Sequence, residues 1–135
     1  MDESRTTSGG PSGSPPVLAV DDVLRRREEL VGGVVTVEGF LVVAAAGAYL
    51  LSDDVPDDEA VDGREHIVAR LAMPEPDVAD GLLAAVPPYV GGSYMYRDHA
   101  VVVATVCVVA EETVLVHVRH LVVTRLGTSY RVEVA

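Results

Sequence analysis

The chain has no lysine, no tryptophan, a single cysteine and a single phenylalanine. Each shortage closes a route. With Cys107 alone, no disulfide can form within the chain, so nothing in it asks for an oxidising compartment. Cys107 sits in an apolar run, where a buried structural thiol is expected; a reactive thiol needs an electropositive, accessible setting. No apolar run approaches the roughly 18 residues of a membrane helix. The N-terminus does not show a basic region followed by an apolar one, so no signal peptide is expected. A cytoplasmic location without membrane contact follows as the expectation. Gly-x-Ser-x-Gly, a phosphate-binding glycine loop ending in Lys, His-Glu-x-x-His and Cys-x-x-Cys are all missing. The adjacent Glu111 and Glu112 fall in a turn, where neighbouring carboxylates diverge. No enzymatic activity, cofactor or metal site is therefore expected.

Positive charge is scarce and entirely arginine. Ten Arg stand against 21 Asp and Glu, for a net charge of −11. GC-rich coding or a saline habitat produces such a balance without any functional demand. Its physical consequence holds either way: at long range the chain repels DNA, RNA and anionic membranes.

What the chain has is valine, 28 of its 135 residues. Valine is stiff at χ1 and fits a pleated, half-buried surface, so one β-rich domain is expected. Residues 1–17 are rich in Ser, Gly and Pro and read as a disordered N-terminal arm. Residues 18–135 read as the folded domain.

Within it, a first helix is expected over Asp22–Val31, capped by Asp21 or Asp22 and ended by Gly32. Its Arg25-Arg26-Arg27 run reads as a solvated face paired with Glu28 and Glu29. A strand follows over Val34–Val43, with Gly39 as a bulge or coil point. A second strand is expected over Ala48–Ser52, then an acidic loop over Asp53–Gly63 and a third strand over His66–Leu71. Pro74-Glu75-Pro76 breaks the chain before a helix over Asp77–Val86. Strands over Tyr94–Val109, Val114–Arg125 and Tyr130–Val134 complete the reading.

Five strands with a helix between the third and fourth is the order of a small Greek-key barrel. The Leu30-x-Gly32-x-x-Val35-x-Val37-x-Gly39 stretch and the Ala48-Tyr49-Leu50-Leu51 step resemble the first two strands of bacterial OB-fold domains. The resemblance covers about residues 20–134. It implies a mostly β fold: an OB-like barrel of five to six strands, with an N-terminal helix and a helix between strands three and four. It also implies ligand binding on the face of strands two and three, where aromatic rings stack on bases beside a basic groove. On that template Tyr49, Arg70, Tyr94, Tyr96 and Arg97 are the candidate ligand-binding residues.

The loop carrying Asp53, Asp54, Asp57, Asp58, Glu59 and Asp62 offers many oxygen ligands but lacks the spacing of a calcium-binding EF-hand. It reads first as a solvated loop and second as a surface for a basic protein partner. His117 and His120 lie three apart on a strand and so point to opposite faces. His120 is expected among Val116, Val118 and Val122 as a hydrogen-bonded core histidine.

The function expected from these features is a non-enzymatic binding module, monomeric or dimeric. Its expected partner is a protein met through the acidic surface or an open strand edge. The alternatives are a single-stranded nucleic-acid-binding OB domain and a calcium- or small-ligand-binding barrel.

Overall fold

A computed structural model describes residues 16–44, 47–52, 69–90 and 94–134. In chain order the elements are β1 (Val17–Ala19), α1 (Val20–Arg25), α2 (Arg27–Leu30), β2 (Val34–Ala44), β3 (Gly47–Leu51), β4 (Arg70–Met73), α3 (Pro76–Ala85), β5 (Tyr94–Val109), β6 (Glu112–Arg125) and β7 (Thr128–Glu133). The protein is mostly β, as its valine content predicts.

Five strands close into a ring. β2, β3 and β4 form an antiparallel meander. β4 meets β6 in parallel at Ala72 and Val114. β6 runs antiparallel to β5, and β5 returns antiparallel to β2. β1 adds in parallel to β2, and β7 adds antiparallel to β6, making seven strands in all. β1 was not expected: Val17, assigned by sequence to the arm, pairs with Thr36. Residues 1–15 of that arm lie outside the described residues.

The core fills the ring with Val35, Val37, Leu41, Leu50, Leu71, Val102, Leu115, Leu121 and Val123, each 5% exposed or less. α3 lays Val78 and Leu82 into one end, and Val86 follows them. Its Gly81 passes so close to β7 that a Cβ there would lie 3.2 Å from Val132 and 3.3 Å from the Glu133 carbonyl.

The first helix differs from expectation. It starts earlier, at Val20, and divides at Arg26 into two short pieces. Burial explains the start, since Val20 and Val23 are fully buried and anchor α1 on the barrel. Asp22 serves from inside the first turn: its carboxylate accepts the Ala19 N–H at 3.2 Å and pairs with Arg25. Gly32 ends the segment in the left-handed region, at φ 87°, and donates to the Val106 carbonyl at 2.8 Å.

Gly39 is not a bulge. It keeps register with Ala100, and its role is close approach. A Cβ there would lie 2.5 Å from the Leu51 carbonyl oxygen, so any side chain would push β2 from β3. The irregularities lie elsewhere. Between Val43 and Ala44 the register with β5 skips Met95. Between Val103 and Thr105 the register with β6 skips three residues, His117 to Arg119, with His117 at φ 50°. Each bulge changes which side chains face inward.

A candidate binding face of the barrel and a buried clamp

Residues directly opposite one another on neighbouring strands share a face. On the outer face one row runs Arg97 (β5), Val42 (β2), Tyr49 (β3) and Ala72 (β4). The next row runs His99, Phe40, Leu51 and Arg70. Tyr94 begins a third, opposite Ala44, which pairs with Gly47. Three of the six aromatic residues thus stand on one outward face with two arginines and a histidine.

The bulge at Met95 makes this grouping. Tyr94 and Tyr96 share parity along the chain and would share a face in a regular strand. The skipped residue turns Tyr94 out to Arg97, whose guanidinium carbon lies 6.0 Å from its ring centroid. Arg70 stands over Tyr49 at 5.0 Å. Phe40 meets the His99 ring edge-on, with centroids 6.1 Å apart, and His99 Nε2 lies 2.8 Å from Glu38. Among the described residues of these rows the basic groups are Arg70, Arg97 and His99, and the adjoining acid is Glu38. The arginines there stand against a far smaller share of acid than in the chain as a whole. Beside Tyr49 a cleft of about 380 Å³ opens between the facing ends of β2 and β3 and the start of α3, walled by Ala48, Met73, Pro74, Met95 and the carboxylate-bearing Glu75. That volume lies at the small end of the range for ligand pockets.

The sequence-derived candidates divide. Tyr49 with Arg70, and Tyr94 with Arg97, come together on this face. Tyr96 does not. It is fully buried, and its hydroxyl donates to the Val86 carbonyl at 2.7 Å, so its ring cannot stack on a ligand. The acidic loop with Asp53, Asp54, Asp57, Asp58 and Glu59 lies outside the described residues. Phe40 and His99 were missed. Phe40 has the opposite parity to Val37, Leu41 and Val43, a signal that already pointed it outward.

His120 is a correction. It stands opposite Val103 on the outer surface and is only partly buried, while Val118 and Leu121 point inward. His120 shares the outward face of Val116 and Val122, and of the set expected inside only Val118 is turned inward, by the bulge that follows Val116. His117 itself is exposed, with Nδ1 3.7 Å from the Glu75 carboxylate. Among the described residues no three His, Cys, Asp or Glu side chains gather as a metal site.

Next to the face lies a cluster that the spacing of its residues did not announce. Asp98, 5% exposed, accepts two bonds from Arg125: Nε to Oδ1 at 2.9 Å and Nη2 to Oδ2 at 2.8 Å. Arg125 Nη1 also donates to the Pro87 carbonyl at 2.7 Å, and its guanidinium lies 4.1 Å from the Tyr89 ring centroid. The Tyr89 hydroxyl donates to Asp98 at 3.0 Å. These bonds tie the segment after α3 to β5 and β6.

Burial pushes the Tyr96 phenol above its ordinary range, and burial with the Asp98 carboxylate does the same to Tyr89. A raised folded-state value means the folded protein holds these protons more tightly than the unfolded chain. The resulting stability is complete below about pH 10 and is lost as pH rises through the folded values. Unfolding free energy should therefore fall above about pH 10, and Tyr96→Phe should flatten part of that fall. Urea melts of both proteins across alkaline pH check this; equal slopes would assign the loss to other groups.

No helix among the described residues is long and apolar enough to cross a membrane. Compared with known protein families, curated proteins and solved structures, the chain matches none.

Proposed function

We propose that this chain is an OB-type barrel that binds single-stranded nucleic acid on the outer face of β5, β2, β3 and β4, without chemistry of its own. One observation carries the reading: Phe40, Tyr49 and Tyr94 share that face with Arg70 and Arg97, and each guanidinium stands against a tyrosine ring. A flat ring with a fixed cation beside it matches a nucleotide, whose base stacks while its phosphate is neutralised nearby. The ring order β2-β3-β4-β6-β5, with β4 parallel to β6, supports the OB assignment, as does α3 between the third and fourth barrel strands. Arg70 and Arg97 place two cations beside the rings despite a net charge of −11, and screening confines charge effects to about 8 Å at physiological salt.

Fluorescence anisotropy with mixed-sequence single-stranded DNA and RNA over a salt series tests the reading. Micromolar binding that weakens steeply with salt is expected. Tyr49→Ala should weaken it by about 1–3 kcal/mol, the usual value of one stacked base, and leave the melting temperature nearly unchanged. Absence of binding at low salt would overturn the proposal.

A second reading, a protein partner of basic character, rests on the 21 acidic residues and on the steering that such a surface provides. It predicts association with a basic partner that survives Tyr49→Ala and weakens when salt is raised.

A further inference from the structure

β5 is apolar on both of its faces. Inward it presents Ala100, Val102, Ala104 and Val106, all 1% exposed or less. Outward, beyond the ligand face, it presents Val101, Val103, Thr105 and Cys107, all partly buried. A strand solvated on one side should alternate apolar with polar; a strand covered on both sides reads as a continuous apolar run. The neighbours extend the outward surface. Val101 stands opposite Val122, and Thr105 opposite Val116. In the structure of one chain, no layer of secondary structure among the described residues covers this patch.

The borders of the patch indicate what covers it. One row across four strands reads Glu38 (β2), Val101 (β5), Val122 (β6), Arg131 (β7). The next reads Thr36, Val103, His120, Glu133. The first row has an acid at one end, a base at the other and two valines between. Now let a second copy lie face to face, related by a two-fold axis parallel to the strands and midway between β5 and β6. The rotation reverses each row. Glu38 of one chain comes over Arg131 of the other, and Val101 comes over Val122. In the second row Thr36 comes over Glu133, and Val103 over His120. No like charges meet in either row. Such a contact is isologous, the commonest form of protein dimer, and two sheets stacked at about 10 Å interdigitate their side chains in this way.

We propose that this chain forms a two-fold symmetric dimer through the outer face of β2, β5, β6 and β7, centred on Val101, Val103 and Val122. The inference does not rest on the nucleic-acid reading, although the patch adjoins the ligand face through Glu38, which also meets His99. The patch runs across four strands, about 14 Å from the first to the last at the usual strand spacing. That extent places it among small interfaces, for which reversible association in the micromolar range is expected.

Sedimentation equilibrium over about 1–500 µM protein measures the association directly. The mass of the unaltered chain should climb from that of one 14.2 kDa chain toward that of two. Val101→Glu with Val122→Glu should hold it at one chain, with the far-ultraviolet spectrum preserved because both side chains point out of the core. Charge reversal is the more discriminating arm. Glu38→Arg places two bases together and Arg131→Glu places two acids together, so each alone should weaken association about tenfold or more. The two combined restore opposite charges and should recover the dimer. A monomer at every concentration overturns the proposal. So does a dimer indifferent to Val101→Glu and Val122→Glu, or single reversals that the double reversal does not rescue.

Discussion

Arg125→Met should lower the unfolding free energy by about 3–5 kcal/mol, the usual result of stranding one half of a buried ion pair. Asp98 is 5% exposed, and with the guanidinium gone the side-chain donor left to it among the described residues is Tyr89. A carboxylate held in that setting without its counter-charge pays a desolvation penalty that one phenol hydroxyl cannot offset. The Pro87 carbonyl loses its donor in the same step. The companion change separates the pair from its surroundings: Asp98→Leu with Arg125→Met removes both charges and should recover most of the loss, because well-packed apolar side chains replace buried pairs at little net cost. Urea unfolding of the two single variants and the double closes the cycle. A single variant within about 1 kcal/mol of the parent would show that water reaches the pair and that the segment after α3 is held by other contacts.

Tyr96→Ala should cost about 3–5 kcal/mol of stability, the range for removing an aromatic side chain from a packed interior. Tyr96 is the largest of the fully buried side chains, and its removal also leaves the buried end of the Val86 carbonyl without a donor. Tyr96→Phe keeps the ring and should lose only the hydrogen bond, about 1–3 kcal/mol. The contrast with Tyr49 tells core from surface. Tyr49→Ala should change ligand affinity with little effect on melting, whereas Tyr96→Ala should change melting first, with ligand affinity following only as far as the fold is lost. Melting curves and anisotropy on both variants measure this directly. A Tyr96→Ala protein as stable as the parent would contradict the packing described for β5.

The long strands were legible because their valines run uninterrupted between strong turn signals, as at Glu111-Glu112 and Gly127. Their phase was not. Met95 and His117 carry no residue-type mark of a bulge, yet the first reverses the alternation between Tyr94 and Tyr96 and the second turns Val118 inward between the outward Val116 and His120. Tyr96 therefore appeared beside Tyr94 and Arg97 when it belongs inside, whereas His120 was misplaced because Val116 and Val122, its apolar neighbours on that face, stand outward with it. β5 added a second difficulty: with Val at 101, 102 and 103, alternation has nothing to distinguish. Gly39 was marked as special, but the sequence does not say whether a glycine in a strand bends it or lets another backbone approach, and here it is the approach of Leu51. The Asp98–Arg125 pair lies 27 residues apart in sequence and is joined only because β5 and β6 fold back on each other. Of the candidate face, Tyr49 and Arg70 were readable from the barrel template. The place of Phe40 and His99 beside them needed the register of β2 against β5.

The ring of strands is closed very unevenly. β2 and β5 are joined by eleven paired positions, whereas among the described residues β4 and β6 meet at one, Ala72 with Val114. A cylinder stitched this way concentrates its compliance in a single seam, since opening free energy follows the backbone bonds and burial that must be given up. Parting that seam leaves β5, β6 and β7 intact as a stiff plate and lets β3 and β4 swing on β2 as a leaf. Tyr49 and Arg70 ride on the leaf, and Tyr94 and Arg97 on the plate. The distance between the two ring–cation pairs would then vary with the seam that has the fewest paired positions among the described residues of the ring.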